Sequence, residues 1–496
     1  MLNKLKCAKG IVKTAYLIIL TVYLIIREIM PLQFLIDKTI VSVAFFLIGF
    51  LLIFIDFISE KNCLRGKVSD FFVAFIAISI ISSIVNYKYG IASNIKCIAA
   101  MVLEYFLFFS WGTESDKRKN LKIILNTVIT TLCFFVLVSI GMYLFSIDYE
   151  VIANIGTGAQ GFNKEYGRLW GVFGDPNVIA YVSIVSVFAS VYFMFEYKKV
   201  WAYIIYGLNI FFQMLFIVLS LSRSGVLILL TVPIIASLYI FLSFIKTDKR
   251  RAVGGVLLSV CVSLGLFGAY FGLLWTIPGI KKAINMPISA EGREAIVNIY
   301  DDIYRLGNIE ILNLKENHNI SDEEFEKEEI EKIKRKDQKD DYSNGRFERW
   351  KAGLTVFKTT PVLGTSPRNA VAIAKEKTPN TVMGKYGWVT HCSYLEILVN
   401  TGIIGALVML TALIYIAVTF IKSTLKKGFN ADIFISFICF VTVSIGAFFV
   451  SDVFFVFSVS SLLFFVLLGN LYSVSEIDNN SLIYKICCKC SGGEEK

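Results

Sequence analysis

Three side chains in short polar segments have chemistry suited to an anionic substrate. Arg223 lies in the sequence SRSG between two apolar runs, Arg346 begins a predicted amphipathic helix, and His391 opens a third apolar run. A guanidinium forms paired hydrogen bonds with phosphate oxygens. An imidazole with an ordinary pKa of roughly 6.5 can transfer a proton near neutral pH. These residues therefore predict anion binding and proton transfer, with interfacial arginines and a structural histidine as the open alternatives.

Other polar residues near these three are expected to support them. In the stretch RLWGVFGDPN, residues 168–177, Asp175 is a good N-cap and Pro176 a good first helical residue, so a structural role explains both. Serine hydroxyls in the sequence SRSG can bond free backbone groups at helix ends. The candidate supporting residues are Arg168, Asp175, Asn177, Ser222, Ser224 and Glu396.

Three further features receive structural interpretations. Glu104 is the most deeply placed ionisable residue of an apolar run, and we expect it in an interior polar pair. The sequence GTGAQG, residues 156–161, matches the dinucleotide-binding pattern G-x-G-x-x-G. We expect no strand before it and no helix after it, so the match is interpreted as spurious. The charged run 322–341 predicts an exposed helix, because opposite charges recur at spacings of three and four.

Membrane helices are the elements that must position these residues. The 496-residue chain is 56% hydrophobic and 18% charged, with a mean hydropathy of +0.66. This composition excludes a soluble enzyme, a disordered scaffold and a disulfide-stapled secreted domain. Its long apolar windows predict an all-α polytopic membrane protein of about twelve transmembrane helices. The predicted spans are approximately residues 14–34, 39–59, 69–86, 91–111, 121–146, 175–195, 200–220, 225–245, 252–275, 393–421, 431–451 and 453–473.

The distribution of charge predicts the orientation of these spans. With a cytoplasmic N-terminus, the inside segments carry 23 Lys and Arg residues and the short outside loops carry six, in agreement with the positive-inside rule. The net charge of +10 is thereby explained without nucleic acid. The first apolar run is interpreted as a retained helix, because no small-residue cleavage site follows it. Both termini are then cytoplasmic, and all three candidate site residues lie at the outer face.

The spans divide the chain into four regions, of which one is a sizeable soluble part. Membrane helices 1–9 are expected in residues 1–276, and helices 10–12 in residues 392–473. Between spans 9 and 10, residues 277–391 form one long extracytoplasmic loop domain, and residues 474–496 form a cytoplasmic tail. No disulfide framework is expected outside the membrane, because Cys392 is the only clear outside thiol. No metal site is expected either.

Four motifs occur in a fixed order along residues 165–410. They are RLWGVFGDPN, SRSG, NGRFERW followed by PVLGTSP, and H-C-x9-G-I-I-G. Their order and shared outer-face placement resemble the O-antigen ligase and polysaccharide polymerase family of bacterial membrane glycosyltransferases. This resemblance implies a mostly α-helical, GT-C-like fold of about twelve spans in the bacterial cytoplasmic membrane.

The resemblance also implies an activity and the residues that carry it. The family moves a glycan from an undecaprenyl-diphosphate-linked donor to an acceptor outside the membrane, without a cofactor or metal. Arg223 and Arg346 match its diphosphate-binding arginines, and His391 matches its catalytic or substrate-orienting histidine. Two fixed arginines would neutralise the leaving diphosphate while a base deprotonates the acceptor hydroxyl for inverting attack. The implied partners are the donor, a glycan acceptor, the lipid bilayer and other polysaccharide-assembly membrane proteins.

Two alternatives to a polysaccharide polymerase stay open. A ligase uses the same donor and transfers the glycan to a lipid, wall or protein acceptor, so these motifs fit both enzymes. Richness in Ile, Lys and Asn suggests an AT-rich genome and a host without lipopolysaccharide, which favours a polymerase of capsule or exopolysaccharide repeat units. A polysaccharide transporter or flippase is disfavoured, because only Pro233 lies well inside a span and no internal repeat is found.

Overall fold

The chain folds as a bundle of long apolar helices. The computed structural model describes residues 2–35, 38–59, 64, 66–145, 147–153, 156–163, 168–284, 311–313, 343, 345–475 and 481–485, with five isolated positions between 292 and 302. The bundle helices are α1 (Leu2–Ile26), α2 (Met30–Leu35), α3 (Lys38–Ser59), α4 (Lys67–Val85), α5 (Ala92–Thr113), α6 (Lys117–Leu144), α7 (Pro176–Tyr197), α8 (Val200–Leu219), α9 (Arg223–Phe244) and α10 (Lys249–Ile284). After the shorter helices α11 (Arg346–Phe357), α12 (Ala370–Lys377) and α13 (Val382–Tyr386), the bundle continues with α14 (Ser393–Lys427), α15 (Ala431–Gly446) and α16 (Val459–Tyr472).

Nine helices of the described chain are long and apolar enough to cross a membrane. Three shorter apolar stretches, Gly10–Ile26, Ala431–Gly446 and Val459–Tyr472, correspond to the other three predicted spans. Because long side chains such as Trp111 and Phe193 pack in one main core among these helices, they form a bundle with a common interior. The prediction of an all-α polytopic membrane protein is confirmed.

Several predicted span boundaries differ from the structure. The last two spans were expected to be almost continuous, but α15 ends at Gly446 and α16 begins at Val459. Residues 447–458 join α15 to α16, and we call them the 447–458 connection. It ends in a capping box, because the Ser458 hydroxyl accepts from the Ser461 backbone N–H over 3.0 Å and the Ser461 hydroxyl accepts from Ser458. The capping box therefore starts a new helix within a sequence whose apolar composition predicts an almost continuous helical stretch.

A small antiparallel sheet is formed by three strands between α6 and α7 and a fourth strand between α10 and α11. Its strands are β1 (Asp148–Ala153), β2 (Gly156–Asn163), β3 (Arg168–Gly171) and β4 (Ile311–Asn313), in the order β3-β2-β1-β4. The expectation that no strand precedes GTGAQG was wrong, because this sequence lies in β2 and pairs with β1. A third strand follows it rather than a helix, so a dinucleotide site still lacks the helix N-terminus that would hold its diphosphate.

Helices α11 to α13 form a cap that packs on the first turns of α14. Buried apolar residues join them in a second small core: Ala352, Val356, Ile373, Ala374, Met383 and Val399. The predicted helix at Arg346 is present, and Arg349 and Ala352 lie on its buried side. The charged run 322–341 lies outside the described residues.

The cap is joined to α14 at a break in that helix. Gly402 has a φ of 66°, which interrupts the helical hydrogen bonds. The freed carbonyls of Val399 and Asn400 accept from the backbone of Thr365 and Ser366, both over 2.9 Å. On the other side of the break, the Ile403 N–H donates to the Pro361 carbonyl over 2.8 Å. The segment 361–366 therefore satisfies backbone groups that the broken helix leaves unbonded.

Candidate functional site

The SRSG sequence forms the tight turn between α8 and α9. The backbone turns at Leu221, whose φ is 47°, and α9 begins at Arg223. Ser222 is the N-cap, and its hydroxyl accepts from the Gly225 N–H over 3.3 Å and lies 3.0 Å from the Ser224 hydroxyl. Both serine side chains are buried and Arg223 is exposed. The hydrogen bonds of the two serines thus fix the turn that carries the exposed Arg223.

Arg168 joins this turn to the start of α7. Its Nε donates to the Ser220 carbonyl over 2.6 Å and its Nη2 donates to Asn177 Oδ1 over 2.8 Å. The Ser222 hydroxyl donates to the same Asn177 oxygen over 3.2 Å. Asp175 caps α7 by accepting from the Asn177 N–H over 2.8 Å, as the sequence predicts. The segment 168–177 and the SRSG turn therefore form one hydrogen-bonded unit.

Arg346 reaches this unit from the cap. It is the first residue of α11, and its guanidinium lies over the Phe449 ring, 5.2 Å from the ring centroid. Burial lowers the pKa of Arg346, the Asp175 carboxylate opposes this shift, and the charge of Arg223 adds to it. Arg346, Arg223 and Asp175 are thus close enough to interact electrostatically, although long stretches of chain separate them. We call these three residues the arginine cluster.

His391 lies two residues before the first residue of α14, in a left-handed backbone conformation. Its φ is 48° and its side chain is half-buried. Two residues later, the Ser393 N–H donates to the Ala447 carbonyl over 2.8 Å, and the Ser393 hydroxyl donates to the Val450 carbonyl over 2.7 Å. Because Phe449 of the same connection contacts Arg346, the 447–458 connection holds the His391 segment next to the arginine cluster.

Two acids flank the His391 segment. Glu396, in the first turn of α14, lies beside Thr390, Ser451 and Arg368. Asp452 in the 447–458 connection accepts hydrogen bonds from the hydroxyls of Tyr181, over 3.1 Å, and Ser460. Burial raises the pKa of Asp452 to about 6, and the charge of Asp175 contributes to the shift.

Sequence reasoning did not identify Asp452. A signal was present, because Asp452 is the only charged residue between Ile433 and Ser475. An isolated acid in such an apolar stretch is a functional candidate for the same reason that Glu104 is.

Cys392 and Glu104 are both buried. Cys392, expected to be an outside thiol, lies at the N-cap of α14, and burial raises its pKa. Glu104 was expected in a polar pair, and its carboxylate interacts with the Ser461 side chain, although neither oxygen has a partner at hydrogen-bond geometry among the described residues. It begins a π-helical turn, Glu104–Phe108, inside α5. Such turns are frequent at functional sites, so Glu104 lies in unusual local geometry as well as in the interior.

The structure brings most of the predicted site residues together. Arg168, Asp175, Asn177, Ser222, Ser224, Arg223 and Arg346 lie in one assembly, and His391 and Glu396 lie on the adjoining segment. Residues 208–410 match the O-antigen ligase family model. The resemblance inferred from the motifs is confirmed over this segment.

The O-antigen ligase match includes three of the four motifs in full: the SRSG turn, NGRFERW followed by PVLGTSP, and the segment from His391 to Gly405. RLWGVFGDPN precedes the matched residues, although Arg168 bonds directly to the turn. No curated protein matches the chain. An O-antigen ligase domain in a multi-pass membrane protein supports an enzyme of polysaccharide assembly that acts on a lipid-linked glycan and an acceptor in the membrane.

Proposed function

We propose that the chain is a polysaccharide polymerase that acts at the outer face of the bacterial cytoplasmic membrane. It transfers a glycan from undecaprenyl diphosphate to a lipid-linked repeat unit, for capsule or exopolysaccharide. The observation that carries this proposal is the arginine cluster, in which Arg223 and a partly buried Arg346 interact across two distant motifs. The two cations repel each other and burial removes part of the hydration of Arg346, and a bound diphosphate would offset both costs.

The donor's diphosphate is assigned to Arg223 and Arg346. Arg223 is exposed on a short turn whose serines are bonded to helix-end groups, so little conformational freedom is lost when it binds. Arg168 fixes the turn by donating hydrogen bonds to the Ser220 carbonyl and to Asn177. Fixed guanidinium groups stabilise charge that develops on the leaving diphosphate, and this stabilisation takes the place of a metal ion in the proposed mechanism.

His391 is assigned as the base that deprotonates the acceptor hydroxyl. The hydroxyl oxygen then attacks the anomeric carbon of the donor glycan, the bond from that carbon to the diphosphate oxygen breaks, and the configuration inverts. Glu396 and Asp452 lie near the same segment, because Glu396 interacts with Thr390 and with Asp452. This assignment rests on the position of His391 beside the connection that also contacts Arg346.

A ligase-type transfer to a lipid, wall or protein acceptor is the second candidate, and the description of the matched family favours it. The polymerase is preferred because the composition of the chain suggests a host without lipopolysaccharide. The two candidates predict different products. A polymerase lengthens a lipid-linked glycan when it is given lipid-linked repeat units alone, whereas a ligase requires a different acceptor.

Purified protein in lipid vesicles, supplied with undecaprenyl-diphosphate-linked repeat units, tests the proposal. The wild type should form glycans of several repeat lengths, and Arg223→Ala, Arg346→Ala and His391→Ala should each stop elongation. Arg251→Ala is the matched control, because Arg251 lies at the start of α10 and pairs with Asp248 over 3.1 Å, outside the proposed site. Product only after a foreign acceptor is added would favour the ligase, and full elongation by all three variants would exclude the site.

A further inference from the structure

A cavity of about 440 Å³ lies between α3, α5 and the 447–458 connection. This volume is within the range of small-molecule sites. Its walls are mostly apolar and include Phe46, Leu47, Phe50, Phe455 and Phe457. None of the described residues that line it is acidic.

Three cations line this apolar cavity. Arg27 donates from Nη1 to the Phe457 carbonyl, while its buried Nε has no hydrogen-bond partner within the described chain. Arg368 donates from Nε to the Cys97 sulfur over 3.2 Å, and Lys96 is exposed. Among the described residues, none of these three cations lies within ion-pair distance of a carboxylate, although Glu396 interacts electrostatically with Arg368. A cavity with this combination is complementary to an amphiphile that carries a compact anionic group.

The cavity has access to the lipid phase. Only 11% of the residues in Ile40–Ile58 of α3 are buried, the lowest share among the candidate spans of the described chain. Val43 and Leu47 line the cavity and are exposed. A lipid chain can therefore extend from the cavity into the bilayer past α3 while its anionic group stays near the cations. This separation suits a long polyprenyl chain, which the cavity itself is too small to enclose.

The cavity is separate from the arginine cluster but close to it. Arg223, Arg346 and His391 do not line it. The 447–458 connection joins the two sites, because Phe449 lies against Arg346 and Phe457 lines the cavity. A second link joins Ile29 to Phe173 by a β-bridge, two residues from the cavity's Arg27 and two residues from Asp175. Ligands in the two sites would therefore have their polar ends near each other.

We propose that this cavity binds the polyprenyl diphosphate of the acceptor, the second lipid-linked glycan of the reaction. The proposal rests on the polymerase function, because a polymerase must hold two lipid-linked glycans at once. The acceptor's sugar hydroxyl attacks the donor's anomeric carbon, and its proton passes to His391. The donor's undecaprenyl diphosphate leaves from the arginine cluster, and the lengthened glycan stays on the lipid in the cavity.

Native mass spectrometry with undecaprenyl diphosphate as the probe measures the number of sites directly. The wild type should bind two molecules. Lys96→Glu combined with Arg368→Glu should bind one, and Arg223→Ala combined with Arg346→Ala should also bind one. Lys375→Glu is the matched control, because Lys375 is an exposed cation of α12 that does not line the cavity, and it should still bind two. Two molecules on the Lys96 and Arg368 variant would overturn the proposal.

Elongation kinetics test which substrate the cavity binds. With donor and acceptor carrying different labels, Lys96→Glu should raise the acceptor concentration for half-maximal rate about tenfold and leave the donor dependence unchanged. Equal changes for donor and acceptor, or none, in a correctly folded and elongating variant would overturn the cavity assignment alone. A wild type that binds both lipids but never elongates them would overturn the polymerase function and the acceptor assignment with it.

Discussion

The Arg168 guanidinium and the Asn177 side chain are joined by a 2.8 Å hydrogen bond that links strand β3 to the first turn of α7. The same guanidinium donates to the carbonyl of Ser220, two residues before the first serine of SRSG. The Arg168 side chain thus connects the start of α7 to the turn that carries Arg223. The position of Arg223 depends on a residue that lies 55 positions earlier and outside the matched family segment.

Arg168→Lys should therefore loosen the turn even though it keeps the charge. An ammonium lacks the forked geometry that lets Arg168 donate to Ser220 and Asn177 together. We expect a loss of about 1–3 kcal/mol in stability, seen as a lower melting temperature in detergent, and weaker donor binding. Arg251→Lys, at the start of α10, is the control. An unchanged melting temperature for Arg168→Lys would show that these bonds contribute little.

Gly364→Ala and Gly402→Ala should both destabilise the contact between the cap and α14. Gly364 has a φ of 71°, and an added Cβ would lie 2.4 Å from the Asn400 carbonyl carbon. At Gly402 the added atom would lie 2.3 Å from the Val362 oxygen. We expect each variant to lose at least about 2 kcal/mol and most of its activity. Gly265→Ala meets nothing within 4 Å, so thermal melting of this variant should be unchanged or slightly improved.

Substitutions at His391 should separate its chemical role from its backbone conformation. Asn tolerates a left-handed backbone, so His391→Asn should fold normally but elongate about 10²–10⁴-fold more slowly, because it lacks a base. His391→Val should also lower the melting temperature, because a β-branched residue is strained at a φ of 48°. Melting and rate measurements on both variants check these expectations. Near wild-type elongation by His391→Asn would remove the histidine from catalysis.

Stability should depend on the ionisation of Asp452. Its pKa is raised to about 6 in the fold from an ordinary value of 3.8, so the unfolded state releases the proton at lower pH than the folded state. The free energy of unfolding should therefore fall as the pH rises from about 4 to about 6, by up to about 3 kcal/mol. Asp452→Asn should lack this component. Parallel melting curves for wild type and variant across this range would contradict the shifted pKa.

The proposed orientation can be checked by cysteine labelling. Lys377→Cys in α12 should react with a membrane-impermeant maleimide on intact cells. Lys199→Cys, at the start of α8, should react only after permeabilisation, because the charge distribution assigns it to the cytoplasm. The unsubstituted chain gives the background from its own ten cysteines. The reverse pattern would invert the assignment of the site to the outer face.

The helices and their local ends followed from the sequence because the signals are local. Hydropathy predicted the spans, Asp175 with Pro176 predicted the start of α7, and SRSG predicted a tight turn. The order of motifs also predicted which residues would meet, although no local rule gives the approach of Arg346 to Arg223.

The remaining features depend on contacts between distant segments. The β-sheet has few β-branched residues in β2 and pairs through glycines, so propensity did not predict it. The break in α14 is stable because segment 361–366 forms hydrogen bonds with the backbone groups that the break leaves unpaired. Hydropathy cannot predict such a contact between distant segments. Asp452 was overlooked because the apolar run around it reads as two consecutive spans.

Segment 361–366 and residues 399–404 of α14 complete each other's backbone, and this limits how the protein can be recombined with its relatives. A chimera that exchanges the cap alone, or α14 alone, would combine segment 361–366 of one protein with the broken helix of another. The backbone hydrogen bonds between the two would then be mismatched. The two glycines, Gly364 and Gly402, approach too closely for an independent change at either side. These two stretches must therefore be exchanged together in any chimera that is designed to change acceptor preference.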